Sequence, residues 1–166
     1  MQINIIEYFE KTVTKYSNKV AVIDGNRKIS FEELSRKAKT IAEELCKLGC
    51  TNKPIAVFLP KSIESIIADI AITYCGNAYM NLDIKTPSTR IGNILDLIKP
   101  EIVITNKDLS SFIINIDLNL PLLIIDDFNF EQQSNCDLIY DRLGHIIDTD
   151  PLCIINTSGS TGTPKG

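Results

Sequence analysis

Apolar positions along the chain alternate between helix-like and strand-like spacing. In residues 4–16, Ile6, Phe9, Val13 and Tyr16 share one face and Asn4 stands three residues before Glu7, which predicts a capped amphipathic helix. Residues 20–24 and 28–30 flank Gly25-Asn26 and predict a small hairpin. Ser30 and Glu33 have capping-box spacing. They open a helix whose inner face is Leu34, Ala38, Ile41, Ala42, Leu45 and Leu48, and which Gly49 ends in a left-handed conformation. Residues 55–59 form an unbroken apolar run after Pro54, suited to a strand covered on both faces. From Ser62 a second long helix turns Ile63, Ile66, Ile67, Ile70, Ala71 and Tyr74 inward and closes at Gly76.

The alternation continues. Residues 78–82 read as a short strand. Thr86-Pro87 opens a helix with Ile91, Ile94, Leu95 and Ile98 inside, ending before Pro100. Residues 101–105 and 122–126 are further strand candidates, and 127–149 show no clear period and read as a polar loop or lid. Residues 152–155 give a last apolar run after Asp150-Pro151. Strands alternating with helices predict an α/β fold: a parallel-rich sheet with helices on both faces, the early hairpin lying at an edge.

Composition narrows the picture. A chain of 166 residues with 44% hydrophobic content fits one globular domain able to bury roughly 70% of its unfolded surface. Net charge is −4 and Lys and Arg are scattered, so no nucleic-acid partner is expected. The best membrane candidate, residues 63–72, is interrupted by Glu64 and Asp69 and falls short of the ~20 residues of a span, so no membrane partner is expected. Five cysteines without a Cys-x-x-Cys, and a lone His145, predict no metal site. The thiols read as reduced and packed like small apolar groups. With no basic region at the start and Glu7 and Glu10 early, the expected location is the cytoplasm.

The candidate chemistry is in Thr157-Ser158-Gly159-Ser160-Thr161-Gly162-Thr163-Pro164-Lys165-Gly166. Glycines let backbone N–H groups converge on an anion, hydroxyls add rotating donors, and Lys165 adds a point charge suited to phosphate oxygens. A strand that delivers such a loop at its carboxyl end is the usual nucleotide position in an α/β sheet. The spacing is not that of the common P-loop, because Pro164 stands where a Gly is required and Gly166 follows the lysine. Taken alone, a Gly/Ser/Thr run also fits a flexible linker.

The string from Thr157 to Gly166 resembles the signature loop TSG[ST]TGxPKG of the adenylate-forming (AMP-binding) enzymes, position by position. Ile29-Ser30-Phe31-Glu32-Glu33-Leu34 is similar to the first core motif of amino-acid-activating adenylation domains. Gly76-Asn77-Ala78-Tyr79-Met80-Asn81-Leu82-Asp83, followed by Pro87-Ser88-Thr89-Arg90-Ile91, is similar to the second. Singly these residues also have plain structural readings: Ser30 and Glu33 cap, Phe31, Leu34 and Tyr79 pack, Gly76 ends a helix and Arg90 is solvated. The chain departs from the pattern at Asn81, where the family usually has Pro, and at Asn156, where Tyr usually precedes the loop.

The resemblance extends from about residue 7 to the end, and is nearest to adenylation domains of nonribosomal peptide synthetases and D-alanine–carrier-protein ligases. It implies an ATP-dependent ligase that forms an aminoacyl-AMP, releases pyrophosphate and passes the acyl group to the phosphopantetheine thiol of a carrier protein. It further implies that Thr157, Ser158, Ser160 and Thr161 donate hydroxyl hydrogen bonds to the phosphates of ATP, that Gly159 and Gly162 admit the backbone, that Lys165 offsets charge and that Mg²⁺ bridges the phosphates. No catalytic residue is assigned within the chain. Residues 1–166 are expected to be a partial N-terminal large domain cut at the phosphate-binding loop, inactive by itself. Open alternatives are an acyl-CoA synthetase or aryl-acid ligase fragment, and a non-catalytic nucleotide-binding or structural subdomain.

Overall fold

The structure, a computed structural model, describes residues 4–117, 119–131 and 134–156. Helix α1 (Ile5–Tyr16) starts as the sequence predicts, with Asn4 Oδ1 accepting from Glu7 N at 3.1 Å. Strands β1 (Val20–Asp24) and β2 (Arg27–Ser30) pair antiparallel around Gly25, whose φ of +59° gives the tight turn its handedness. They form a separate two-stranded sheet instead of joining an edge of the main one, and pack against α2 (Phe31–Lys47) and α3 (Ile63–Tyr74). The predicted capping box is present. Glu33 N donates to Ser30 Oγ at 3.2 Å and Ser30 N donates to Glu33 Oε2 at 3.1 Å, which holds the Glu33 carboxyl below its ordinary pKa.

The main sheet is wholly parallel, in the order β4-β3-β5-β6, built from β3 (Pro54–Phe58), β4 (Ala78–Asn81), β5 (Val103–Thr105) and β6 (Leu122–Ile124). After β4 the chain crosses by α4 (Ser88–Ile98) to the other side of β3, then continues through α5 (Lys107–Ile116) to β6. Side chains of β3 alternate between two cores, as a doubly covered strand requires. Ile55, Val57 and Leu59 meet α1, α2, α3 and a short helix α6 (Asp137–Leu143), while Ala56 and Phe58 meet α4 and α5. Helices therefore lie on both faces, as expected.

Several local expectations change. Residues 137–143 fall in the stretch read as a loop, yet form α6, whose Ile139 is fully buried in the first core. Helix α5, capped by Asn106 Oδ1 accepting from Leu109 N at 3.0 Å, is an element the sequence reading did not include. Leu48 and Ile66, read as inward, are exposed, and the buried stripe of α3 is Ile63, Ile67, Ala68, Ala71, Ile72 and Tyr74. The last apolar run contributes a single parallel bridge, Cys153 to Tyr79, in place of a full strand.

Candidate functional site

The bridge at Cys153 sets the geometry that matters. Tyr79 N donates to Leu152 O at 3.2 Å and Ile154 N donates to Tyr79 O at 2.9 Å, so residues 152–154 run parallel to β4 on its outer side. Ile155 and Asn156 consequently leave the sheet at its carboxyl end, the end where α/β sheets hold ligands. Both side-chain polar atoms of Asn156 are enclosed with no hydrogen-bond partner among the described residues. Thr157, Ser158, Gly159, Ser160, Thr161, Gly162 and Lys165, the residues assigned to phosphate binding, lie outside the described residues.

The second core motif surrounds the strand beside this exit. Gly76 takes φ +68° at the end of α3, where a left-handed residue is needed, and its carbonyl accepts from Asn52 N at 2.7 Å. Asn77 is buried and ties the start of β4 to the chain entering β3. Its Oδ1 accepts from Lys53 N at 3.0 Å, and its Nδ2 donates to Cys50 O at 3.2 Å and Cys75 O at 3.5 Å. Tyr79 is half-buried beside the 152–154 segment, and burial raises its phenol pKa. Met80 and Leu82 fill the second core. Asp83 begins a turn, its Oδ1 accepting from Lys85 N at 2.9 Å and its carbonyl from Thr86 N at 2.9 Å. Arg90 is exposed on α4, while Ile91 is buried in the second core. The first core motif proves to be capping and packing, with Ser30 and Glu33 bonded to each other and Leu34 in the first core.

At the carboxyl ends of β3 and β4 the hairpin, the start of α3 and the turn after β4 enclose a cleft of about 820 Å³. Its polar lining includes Asp24, Lys61, Ser65, Asp69, Asn81 and Lys85. Arg27 braces this wall: its guanidinium meets Asp24 and holds both oxygens of Glu64, at 2.7 and 3.0 Å, and so draws the Glu64 carboxyl down to about 2. Asp69 is the unusual group. Burial pushes its pKa up to about 6, against an opposing hydrogen-bond contribution from Asn81, whose Nδ2 reaches both carboxylate oxygens at 3.1 and 3.0 Å. The departure from the family pattern at Asn81 thus has a local role: an amide there can donate to Asp69, where a proline could not. Sequence reasoning did not pick out Asp69 as a site residue. The available signal was its carboxylate in the otherwise apolar run 63–72.

Among the described residues no three of His, Cys, Asp and Glu gather as metal ligands, and no helix is long and apolar enough to cross a membrane. What the described part provides is a frame: a parallel sheet whose carboxyl edge carries the cleft and the exit of the 152–156 segment.

The sequence model of the family described as "AMP-binding enzyme" matches residues 9–166. Tyrocidine synthase 1 of Brevibacillus parabrevis is 32% identical over 164 residues, covering 98% of this chain and 15% of that protein. Gramicidin S synthase 1 of Brevibacillus brevis is 32% identical over 165 residues, covering 98% of this chain and 14% of that protein. The chain thus spans about 15% of the length of these curated relatives. In fold, it is similar to the N-terminal subdomain of Klebsiella oxytoca NpsA, with a TM-score of 0.76 at 22% identity over 98% of this chain and 41% of that one. The fold likeness extends to O-succinylbenzoate Coenzyme A synthetase of Bacillus subtilis, with a TM-score of 0.76 at 18% identity over 99% of this chain and 41% of that one. Matched by the family's sequence model over all but its first eight residues and sharing the fold of such N-terminal parts, the chain belongs to the AMP-binding enzyme family.

Proposed function

We propose that residues 1–166 are part of the large N-terminal domain, up to the phosphate loop, of an ATP-dependent ligase. That ligase activates an amino acid as aminoacyl-AMP, releases pyrophosphate and hands the acyl group to the phosphopantetheine thiol of a carrier protein. The observation that carries the reading is the complete Thr157–Gly166 signature placed directly after a segment that leaves the sheet beside β4 at its carboxyl edge. The choice of an amino acid over an aryl or fatty acid rests on the sequence likeness to the tyrocidine and gramicidin S synthases, since the fold alone is shared with a Coenzyme A synthetase.

In this reading the substrate carboxylate and the triphosphate are two anions that must be held against their mutual repulsion. Thr157, Ser158, Ser160 and Thr161 donate to the β- and γ-phosphates, Gly159 and Gly162 let the backbone approach, and Lys165 offsets charge. The sheet's part is to fix where that loop begins: the hydrogen bonds of Leu152 and Ile154 to Tyr79 anchor its root to β4. Mg²⁺ bound to the phosphates of ATP would supply further charge neutralisation beside Lys165. The cytoplasm is the proposed location.

The test is amino-acid-dependent ATP–pyrophosphate exchange in the intact protein that carries this chain. Lys165→Ala removes a charge-assisted contact worth about 1.5–3 kcal/mol, so exchange should fall on the order of ten- to a hundredfold. Exchange unchanged in that variant would remove Lys165 from the phosphate site. The 166-residue chain alone should show no exchange with any amino acid, because it spans only 41% of the NpsA N-terminal subdomain whose fold it shares.

A further inference from the structure

Outside this site, the sulfur atoms of Cys46 and Cys75 lie 3.0 Å apart in the interior of the first core. That is about 1 Å beyond a covalent S–S bond of ~2.05 Å. Cys46 is in the last turn of α2 and Cys75 follows the last residue of α3, two helices that pack along each other. The Cys75 thiol also donates to Ala42 O at 3.0 Å, which fixes its sulfur against α2. Neither thiol has a part in the proposed adenylation chemistry. The remaining cysteines are placed differently: Cys50 is half-buried and contacts the Asn77 amide at 3.8 Å, and Cys136 and Cys153 are half-buried elsewhere.

We propose that Cys46 and Cys75 are a site of oxidative modification, closing a disulfide between α2 and α3 by exchange with a low-molecular-weight disulfide. The Cys46 thiolate attacks one sulfur of that reagent and its first thiolate departs. Cys75 then attacks the Cys46 sulfur and expels the second thiolate, which takes up the Cys75 proton. Two protein thiols are oxidised to one disulfide and the reagent is reduced to two thiols. The order of attack follows from the surroundings. The sulfur–sulfur contact with Cys75 lowers the Cys46 pKa against the opposing effect of burial, with the Arg142 charge also lowering it, whereas the same contact and burial raise the Cys75 pKa. Both residues are buried, so the reagent reaches them when the adjoining ends of α2 and α3 open locally.

The experiment exposes the 166-residue chain, shown to be folded by its helix circular dichroism, to oxidised glutathione until the number of alkylatable thiols no longer changes. A Cys50→Ser/Cys136→Ser/Cys153→Ser variant, which keeps only the proposed pair, is treated alongside. Both proteins should lose two hydrogens in denaturing, non-reducing mass spectra and lose two alkylatable thiols. Non-reducing peptide maps should join the Cys46 and Cys75 peptides, and dithiothreitol should reverse the change. Persistent glutathione adducts, a link through Cys50, or full retention of free thiols would each overturn the proposal.

Discussion

Asp69 shows how one side chain can make stability depend on pH against the usual trend. Most acidic groups that bind a partner have lowered pKa values and stabilise the fold as pH rises, as Glu64 does beside Arg27. Burial instead lifts Asp69 to about 6, so between pH 4 and 6 the folded chain holds this proton more tightly than the unfolded chain does. Its contribution is therefore fully present below pH 4 and is lost as pH rises through 6. Asp69→Asn keeps the shape and removes the ionisation. The variant should melt at a higher temperature than the parent at pH 7, with the difference shrinking towards pH 4. A difference independent of pH, measured by circular dichroism, would show that the carboxyl ionises in the fold without cost. The Asp69–Asn81 pair was only half legible in the sequence. The acidic interruption of an apolar helix is visible there, but its partner lies on a strand twelve residues away, and only the packing of α3 beside β4 brings the two together.

At the level of elements, what the sequence disclosed depended on length and on clean punctuation. Helices α1 and α2 carry capping residues at the right offsets and long apolar stripes, and their starts agree with expectation. Helix α6 has seven residues and one fully buried side chain, too little periodicity to stand out from its polar surroundings. Helix α5 turns Leu109, Phe112, Ile113 and Ile116 to the second core at helical spacing, so its pattern was present though short. The hairpin's separation from the main sheet is a tertiary outcome that no local pattern encodes. The turn from α3 to β4 combines both kinds of information. Gly76 was expected to end the helix, but its second constraint comes from residue 146: a Cβ there would lie 3.0 Å from Ile146 Cγ1. Gly76→Ala should cost about 1–2 kcal/mol from left-handed strain, plus the contact with Ile146. Adding Ile146→Ala relieves only the second part. Urea unfolding of the single and double variants checks this, and complete rescue by Ile146→Ala would show that the backbone conformation carries no strain.

For the molecule as a whole, β3 is the shared wall of two cores, and this couples the faces. Leu34, Ile41 and Tyr74 reach the sheet from one side and Ile91, Ile94 and Ile113 from the other, but Val57 and Phe58 are consecutive residues of the same strand. This division was legible in the unbroken apolar run 55–59, because only a strand covered on both faces has no polar alternate positions. The motif at Thr157–Gly166 lies outside the described residues, and its root beside β4 emerges only from the bridge at Cys153. The coupling makes a prediction. Phe58 is fully buried and stacks on Phe112 with ring centroids 5.1 Å apart, entirely within the second core. Phe58→Ala should cost about 3–5 kcal/mol through lost burial and the cavity left behind. Tyrosine side chains pack only in the first core, with Tyr74 buried and Tyr79 partly buried there, so near-ultraviolet tyrosine dichroism reports on the face opposite the substitution. If the shared strand makes the two faces one cooperative unit, that tyrosine signal and the far-ultraviolet helix signal should shift together to the same lower denaturant midpoint. A tyrosine transition left at its original midpoint, with helix signal lost earlier, would mean that the second core melts alone and that β3 survives without it.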